Sequence, residues 1–176
     1  MATTTKKKRR KKSVKKLRYS NKNLNFVHIV TLHNSLRASV ADAGKDKKMQ
    51  ECYSADKVSD EAKTEISSTI KYFQAHGAKD VNIESCETIS ESKNYSYVYI
   101  RYNLVLQNDQ EYPCISTYLV KVQDKKYYLY SPSDISDKIS KQAAADYQKF
   151  MTTKTYTDYT KAYEVFLKKN PFSLGM

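Results

Sequence analysis

Tryptophan is absent from this chain, and Gly, Pro and Cys occur only three times each in 176 residues. So few Gly and Pro exclude a collagen-like or loop-dominated chain and predict a body built mostly of regular structure. Three cysteines, Cys52, Cys86 and Cys114, form no CxxC pair and stand at no ligand spacing from a histidine. That excludes a recognisable zinc motif and an even disulfide framework, and it predicts buried free thiols and no metal or other cofactor. No long apolar run is present either. The best candidate, residues 23–36, is 14 uncharged residues with two His and three Asn among them, short of the roughly 20 that cross a bilayer. A cleaved secretion signal stays open as an alternative, because Ala41-Asp42-Ala43 offers small residues at alternate positions. A cytoplasmic or membrane-associated location is the expectation otherwise.

What is present is first of all a charge split. Lys6, Lys7, Lys8, Arg9, Arg10, Lys11, Lys12, Lys15, Lys16, Arg18 and Lys22 are eleven basic residues with no acid among them. Taking those eleven from the 31 in the chain leaves 20 basic residues facing all 19 acidic ones, so the body carries +1 of the total +12. A block of like charges this dense repels itself and buries little, which predicts a disordered polybasic tail over residues 1–23. Its basic side chains, from Lys6 to Arg18, are the candidate polyanion-binding residues. The partner would be an anionic membrane surface, through attraction of about 1 kcal/mol per basic residue, or nucleic acid, through phosphate neutralisation.

The body reads as helices, then strands, then helices. Phe26, Ile29, Val30, His33, Leu36 and Val40 recur at spacings of three and four and predict a helix over 23–43. A second helix has Ser59 as its cap, Asp60 and Glu61 at its positive end, Ala62, Ile66, Ile70 and Phe73 as its buried stripe, and Gly77 at its stop. After Gly77 the period changes to two. Residues 81–89 alternate weakly and 94–107 strongly, with Val98, Ile100, Tyr102, Leu104 and Leu106 on one face and Tyr95, Tyr97, Tyr99, Arg101 and Asn103 on the other. A turn at Asn108-Asp109 precedes a strand over 112–123, and Asp124-Lys125 turns into a short strand over 126–131. Ser136 then caps a helix through Ile139, Ala143, Tyr147 and Phe150, and a last helix turns Tyr159, Ala162, Tyr163, Phe166 and Leu167 inward until Pro171. The fold class expected is α+β: N-terminal helices packed on a curved antiparallel sheet of about four strands, with C-terminal helices.

This order resembles the nuclear transport factor 2-like superfamily, the cystatin-like cone fold. The likeness lies in an opening helix followed by Gly44-Lys45-Asp46 and Met49, and in a close of Leu119-Val120-Lys121-Val122, a turn at Asp124-Lys125, and Lys126-Tyr127-Tyr128-Leu129-Tyr130, with Tyr where the family favours Trp. It covers residues 24–135, a cone-like α+β domain, and leaves 136–170 as a C-terminal helical extension. The resemblance implies a cone whose mouth can hold a small ligand. The residues able to meet one are His33, Tyr102, Tyr118 and Tyr128. The core faces of the two long strands carry no acid or base, which counts against the family's acid-base enzymes and implies a non-catalytic bacterial-type member.

Three functions follow as expectations. The first is a non-enzymatic interaction or scaffold module whose tail engages an anionic surface. It would be a homodimer, or bind another protein, through Tyr95, Tyr97, Tyr99, Arg101 and Leu119, because aromatics beside Arg suit interfaces. The alternatives are a small-molecule-binding or catalytic cone with a Tyr-lined pocket, and a nucleic-acid-binding protein led by the tail. His33 on an apolar helix face, and a tyrosine-rich strand, also have plain structural readings as core or half-buried sheet residues. The charge split yields a direct test. Removing residues 1–22 is expected to abolish retention on heparin and on anionic vesicles while shifting Tm by no more than about a degree or two; a truncated body that is retained as before would refute the two-part organisation.

Overall fold

The computed structural model describes residues 46–54, 57–123 and 126–171. The polybasic residues Lys6 to Lys22, the helix expected over 23–43 with His33, the Gly44-Lys45 step and the Asp124-Lys125 turn lie outside them.

Among the described residues two helices lead into the sheet. The charged segment after Lys45 forms a short helix, α1 (Asp46–Glu51), and Met49, Cys52 and Tyr53 at its end are buried. The Cys52 carbonyl accepts a hydrogen bond of 2.8 Å from the Leu129 amide, tying α1 to the far end of the sheet. The longer α2 (Asp60–Ala75) begins where Ser59 Oγ accepts from the Ala62 amide at 3.2 Å, replacing one of the amide partners that a helix start lacks. Ala62, Ile66 and Phe73 are buried and Ile70 packs beside them, the stripe that the spacing predicts. Gly77 then takes φ of +62°, a left-handed conformation that costs glycine little, and its carbonyl accepts from the Gln107 amide at 3.1 Å.

The sheet is β1 (Ala78–Glu91), β2 (Tyr95–Leu106), β3 (Glu111–Gln123) and β4 (Lys126–Leu129), antiparallel throughout and in sequence order. Between β2 and β3, Asp109 sits at φ +63°, and Asn108 Oδ1 accepts from the Gln110 amide at 3.1 Å, as expected of an Asx-type turn. β2 and β3 pair without interruption from Tyr95–Lys121 to Val105–Glu111. β1 does not: its register against β2 shifts at Ala78/Asp80, Ile83/Ser85 and Thr88/Ser90. Each such bulge bends the strand and raises its twist, which curves the sheet around α2.

Two more helices follow a 3₁₀ turn at Pro132–Asp134. They are α3 (Asp137–Phe150), capped by Ser136 Oγ, and α4 (Lys154–Lys169), capped by Thr153 Oγ1. Ala143 and Phe150 of α3 and Phe166 of α4 are buried. Asp146 is buried too, held by Ser90 Oγ at 2.7 Å and Gln142 Nε2 at 3.1 Å. Among the described residues no helix is long and apolar enough to cross a membrane.

The odd face of β2 is therefore not an open surface. Tyr97 and Tyr99 are 7% and 4% exposed, as deeply placed as Ile100 and Tyr102 at 1% and 5% on the other face. Tyr99 stacks on Phe150 with ring centroids 4.8 Å apart, and Tyr97 donates to Thr117 Oγ1 at 3.0 Å. Arg101 is committed to Glu84 at 2.7 Å, and Tyr95 meets Tyr130 edge-on at 6.4 Å. Leu119 is half-buried in a smaller recess with Tyr97, Ile135 and Ala143. Of the residues expected to form an interface, Tyr97 and Tyr99 are thus buried within the chain, Tyr99 against α3, while Tyr95, Arg101 and Leu119 stay partly exposed. Because β2 is buried on both sides, Ile100→Ala is expected to cost about 2–5 kcal/mol and Tyr99→Ala about 3 kcal/mol or more. Urea unfolding measures both, and a Tyr99→Ala cost below about 1 kcal/mol would show that α3 does not cover it in solution.

Candidate functional site

β4 pairs only with Val120–Gln123 of β3, and among the described residues no strand continues along the outer edge of β3 before Val120. Pro113, which has no N–H to offer a neighbour, falls in this one-sided stretch. α4 approaches instead of a strand: Tyr163 and Phe166 meet the Tyr112 ring at centroid distances of 5.8 and 4.9 Å. A helix cannot fill the narrow space beside a strand edge as another strand would. What remains between α2, β3 and α4 is a cleft of about 570 Å³.

Four elements supply its walls. From α2 come Glu65, Ser68, Thr69, Tyr72 and Phe73, a stripe at helical spacing displaced to one side of the core stripe. β2 supplies Tyr102, β3 supplies Tyr112, Cys114, Ser116 and Tyr118 together with Pro113 and Ile115, and α4 supplies Tyr159 and Tyr163. Residues of both β3 parities take part because the cleft wraps around the strand's edge. Of the residues expected to line a pocket, Tyr102 and Tyr118 are here. Tyr128 is buried on β4 opposite Lys121 and outside this lining, and His33 lies outside the described residues. Glu65, Tyr72, Tyr112, Tyr159 and Tyr163 are additions that the separate strand and helix patterns did not bring together.

Several of the hydroxyls lie close together. Tyr102 Oη and Ser116 Oγ are 3.2 Å apart, Tyr118 also bonds to Ser116, and the phenols of Tyr72 and Tyr163 stand beside that of Tyr112 and bear on its ionisation. Desolvation governs their ionisation. Burial pushes Tyr118 and Tyr159 up to about 12 and moves Tyr102 and Tyr112 further in the same direction. The Cys114 thiol rises to about 12 for the same reason, so it is protonated and a poor nucleophile near neutrality. Glu65, on the solvent side of the cleft, is shifted upward by partial desolvation, and a hydrogen bond from Tyr53 works against that shift. The cleft thus presents phenols that keep their protons, with one carboxyl among its lining side chains. All three cysteines are free, and among the described residues no cluster of His, Cys, Asp or Glu could hold a metal ion.

With this geometry in place, comparison with known proteins adds little. No protein-family model matches the chain, and no curated protein matches it significantly. Among solved structures it is similar to one from Campylobacter jejuni described as an NTF2-like transpeptidase, at 20% identity over 63% of this chain and 98% of that one, with a TM-score of 0.31. It is also similar to one from Xanthomonas campestris described as a calcium/calmodulin dependent protein kinase II association domain, at 17% identity over 57% and 79%, with a TM-score of 0.35. At those identities and scores the two structures lend nothing to the reading of the cleft, which stands on its own residues.

The raised phenols have a pH consequence. An unfolded tyrosine releases its proton near pH 10, whereas folded Tyr118 and Tyr159 hold theirs to about 12. Between those values the unfolded state binds fewer protons, so the stability these two contribute is complete below about pH 10 and is lost as pH rises towards 12. Denaturant midpoints measured from pH 8 to 12 are expected to fall across that window, and to fall less steeply in Tyr159→Phe. A 295 nm titration in which every tyrosine of the folded protein ionises near 10 would contradict the desolvated cleft.

Proposed function

We propose that this chain is a non-enzymatic binding module of the NTF2-like cone type, in which the tyrosine-lined cleft is the ligand site and the polybasic tail engages an anionic surface. One observation carries the reading: six tyrosines from four elements converge on a single concave space of about 570 Å³, within the range of roughly 300–1,000 Å³ typical of small-molecule sites. Tyrosine suits such a wall because its ring gives apolar contact and its hydroxyl can be satisfied at low entropic cost. Binding rather than catalysis fits the lining. General acid-base work near neutrality calls for a group titrating close to the working pH; the phenols and the Cys114 thiol titrate far above it, and Glu65, the one carboxyl of the lining, stands on its solvent side.

The scaffold reading through the odd face of β2 is less favoured, since Tyr97 and Tyr99 lie under α3. The tail is an independent part of the proposal, supported by the +11 of its basic block against the near-neutral body. It could act through electrostatic attraction to polyanions whether or not the cleft is occupied.

Ser68 lies on the exposed side of α2 and borders the cleft, so Ser68→Trp plugs it at little cost to the core. Saturation-transfer NMR of the full chain with a panel of neutral, anionic and cationic small molecules is expected to give signals for at least one class that the plugged variant loses. Signals that persist unchanged in Ser68→Trp, or none with any class, would remove the cleft as a ligand site.

A further inference from the structure

The chemical character of the cleft narrows what it would hold, an inference that rests on its being the ligand site. Its charge is one-sided. Glu65 is a carboxylate, and among the described residues that line the cleft there is no Lys, Arg or His. Among the described residues the one imidazole, His76, sits behind Tyr72 and Tyr112 with ring centroids 4.1 and 5.0 Å away, and its Nδ1 is occupied by the Tyr72 carbonyl at 2.8 Å. An anionic ligand would therefore enter without a counter-charge and meet Glu65. Such a ligand is disfavoured on electrostatic grounds alone.

Between neutral and cationic ligands, ring orientation and hydroxyl satisfaction decide. Tyr112 and Tyr163 stand nearly perpendicular, at 84° with centroids 5.8 Å apart, while Tyr159 lies nearly parallel to Tyr163 at 26° and 6.2 Å. The rings of the lining are thus set at differing angles, and each face carries the negative lobe of its quadrupole. A sugar would ask instead for many directional hydrogen bonds. Tyr102 and Tyr118 already share Ser116, so a polyol reaching them would have to break those bonds to form its own. A cation without N–H donors asks for none of them. It gains from the ring faces and from one carboxylate, and, being weakly hydrated, it loses little on leaving water.

Glu65 is also felt at Tyr118, whose ionisation its negative charge opposes, and the same charge favours a cation beside it.

We propose that the cleft binds a quaternary ammonium group, a choline-type cation, with Tyr112, Tyr159 and Tyr163 offering ring faces and Glu65 the counter-charge. The test uses the full chain and isothermal titration with choline against 3,3-dimethylbutan-1-ol, a neutral molecule of nearly the same shape. Choline is expected to bind about tenfold more tightly or better. Glu65→Gln, an exposed and conservative change, should weaken choline severalfold and leave the alcohol unaffected, and Tyr163→Leu should weaken choline in a protein whose Tm shows it folded. Equal affinity for the two molecules, or choline binding indifferent to Glu65→Gln, would overturn the assignment. If glucose or another neutral ligand binds instead and is lost in Ser68→Trp, the cleft stands as a ligand site and the cation does not; if no probe binds, both fall. Sedimentation with phosphatidylcholine vesicles separates the two sources of the group: co-sedimentation lost in Glu65→Gln marks a lipid headgroup, and choline binding without co-sedimentation marks a free small molecule.

Discussion

β2 is the strand on which the other elements depend, because it needs cover on both faces. Its even residues Val98, Ile100, Tyr102 and Leu104 join one core with α1 and α2, and on its other side Tyr97, Tyr99 and Asn103 are buried as well. Neighbours on both edges satisfy its backbone, but side-chain burial on two faces calls for two layers of helix. The polar members are matched in place. Asn103 Nδ2 donates to Glu84 at 2.9 Å and to Glu111 at 3.2 Å, and Glu84 also holds Arg101. Removing Glu84 would leave a half-buried guanidinium without its carboxylate partner, which is costlier than losing an exposed ion pair.

The cleft is a by-product of the same arrangement. A β4 of four residues satisfies only the last part of β3, and the helix that runs along the rest meets it through aromatic side chains rather than backbone bonds. Aromatic side chains hold a helix axis further from a strand than a ladder would, and the gap is walled by whatever residues make that contact. In this chain they are tyrosines, so the gap is lined with hydroxyls as well as rings and does not have to close.

Much of this was legible in the order of residues. Ser59, Ser136 and Gly77 mark helix boundaries by local chemistry that tertiary packing leaves alone, and the Asn108-Asp109 turn works the same way. β2 and β3 show period two because their register is unbroken. β1 shows it weakly because three bulges each move the following residues to the opposite face, so no single alternation spans Ala78 to Glu91. The two-sided burial of β2 was hidden by tyrosine itself, which is at home on a half-exposed sheet and in a core alike. Glu65 was hidden by its surroundings, standing among exposed positions of α2 and gaining meaning only once α4 is brought across from the end of the fold. The stripe Glu65, Ser68, Thr69, Tyr72 was nevertheless readable as a second helical face, and it was the one available signal that α2 has more than one neighbour.

Chain order gives the covering of Tyr97 and Tyr99 a consequence in time. The ribosome delivers β2 and β3 before α3 and α4 exist, so a nascent chain can complete the first core, under α1 and α2, while the tyrosine face of the sheet is still wet. For that interval the protein resembles a partly folded intermediate with exposed aromatic surface, the kind of species on which aggregation and chaperone capture act. The hydroxyl on each of those rings makes the waiting state more soluble than phenylalanine would.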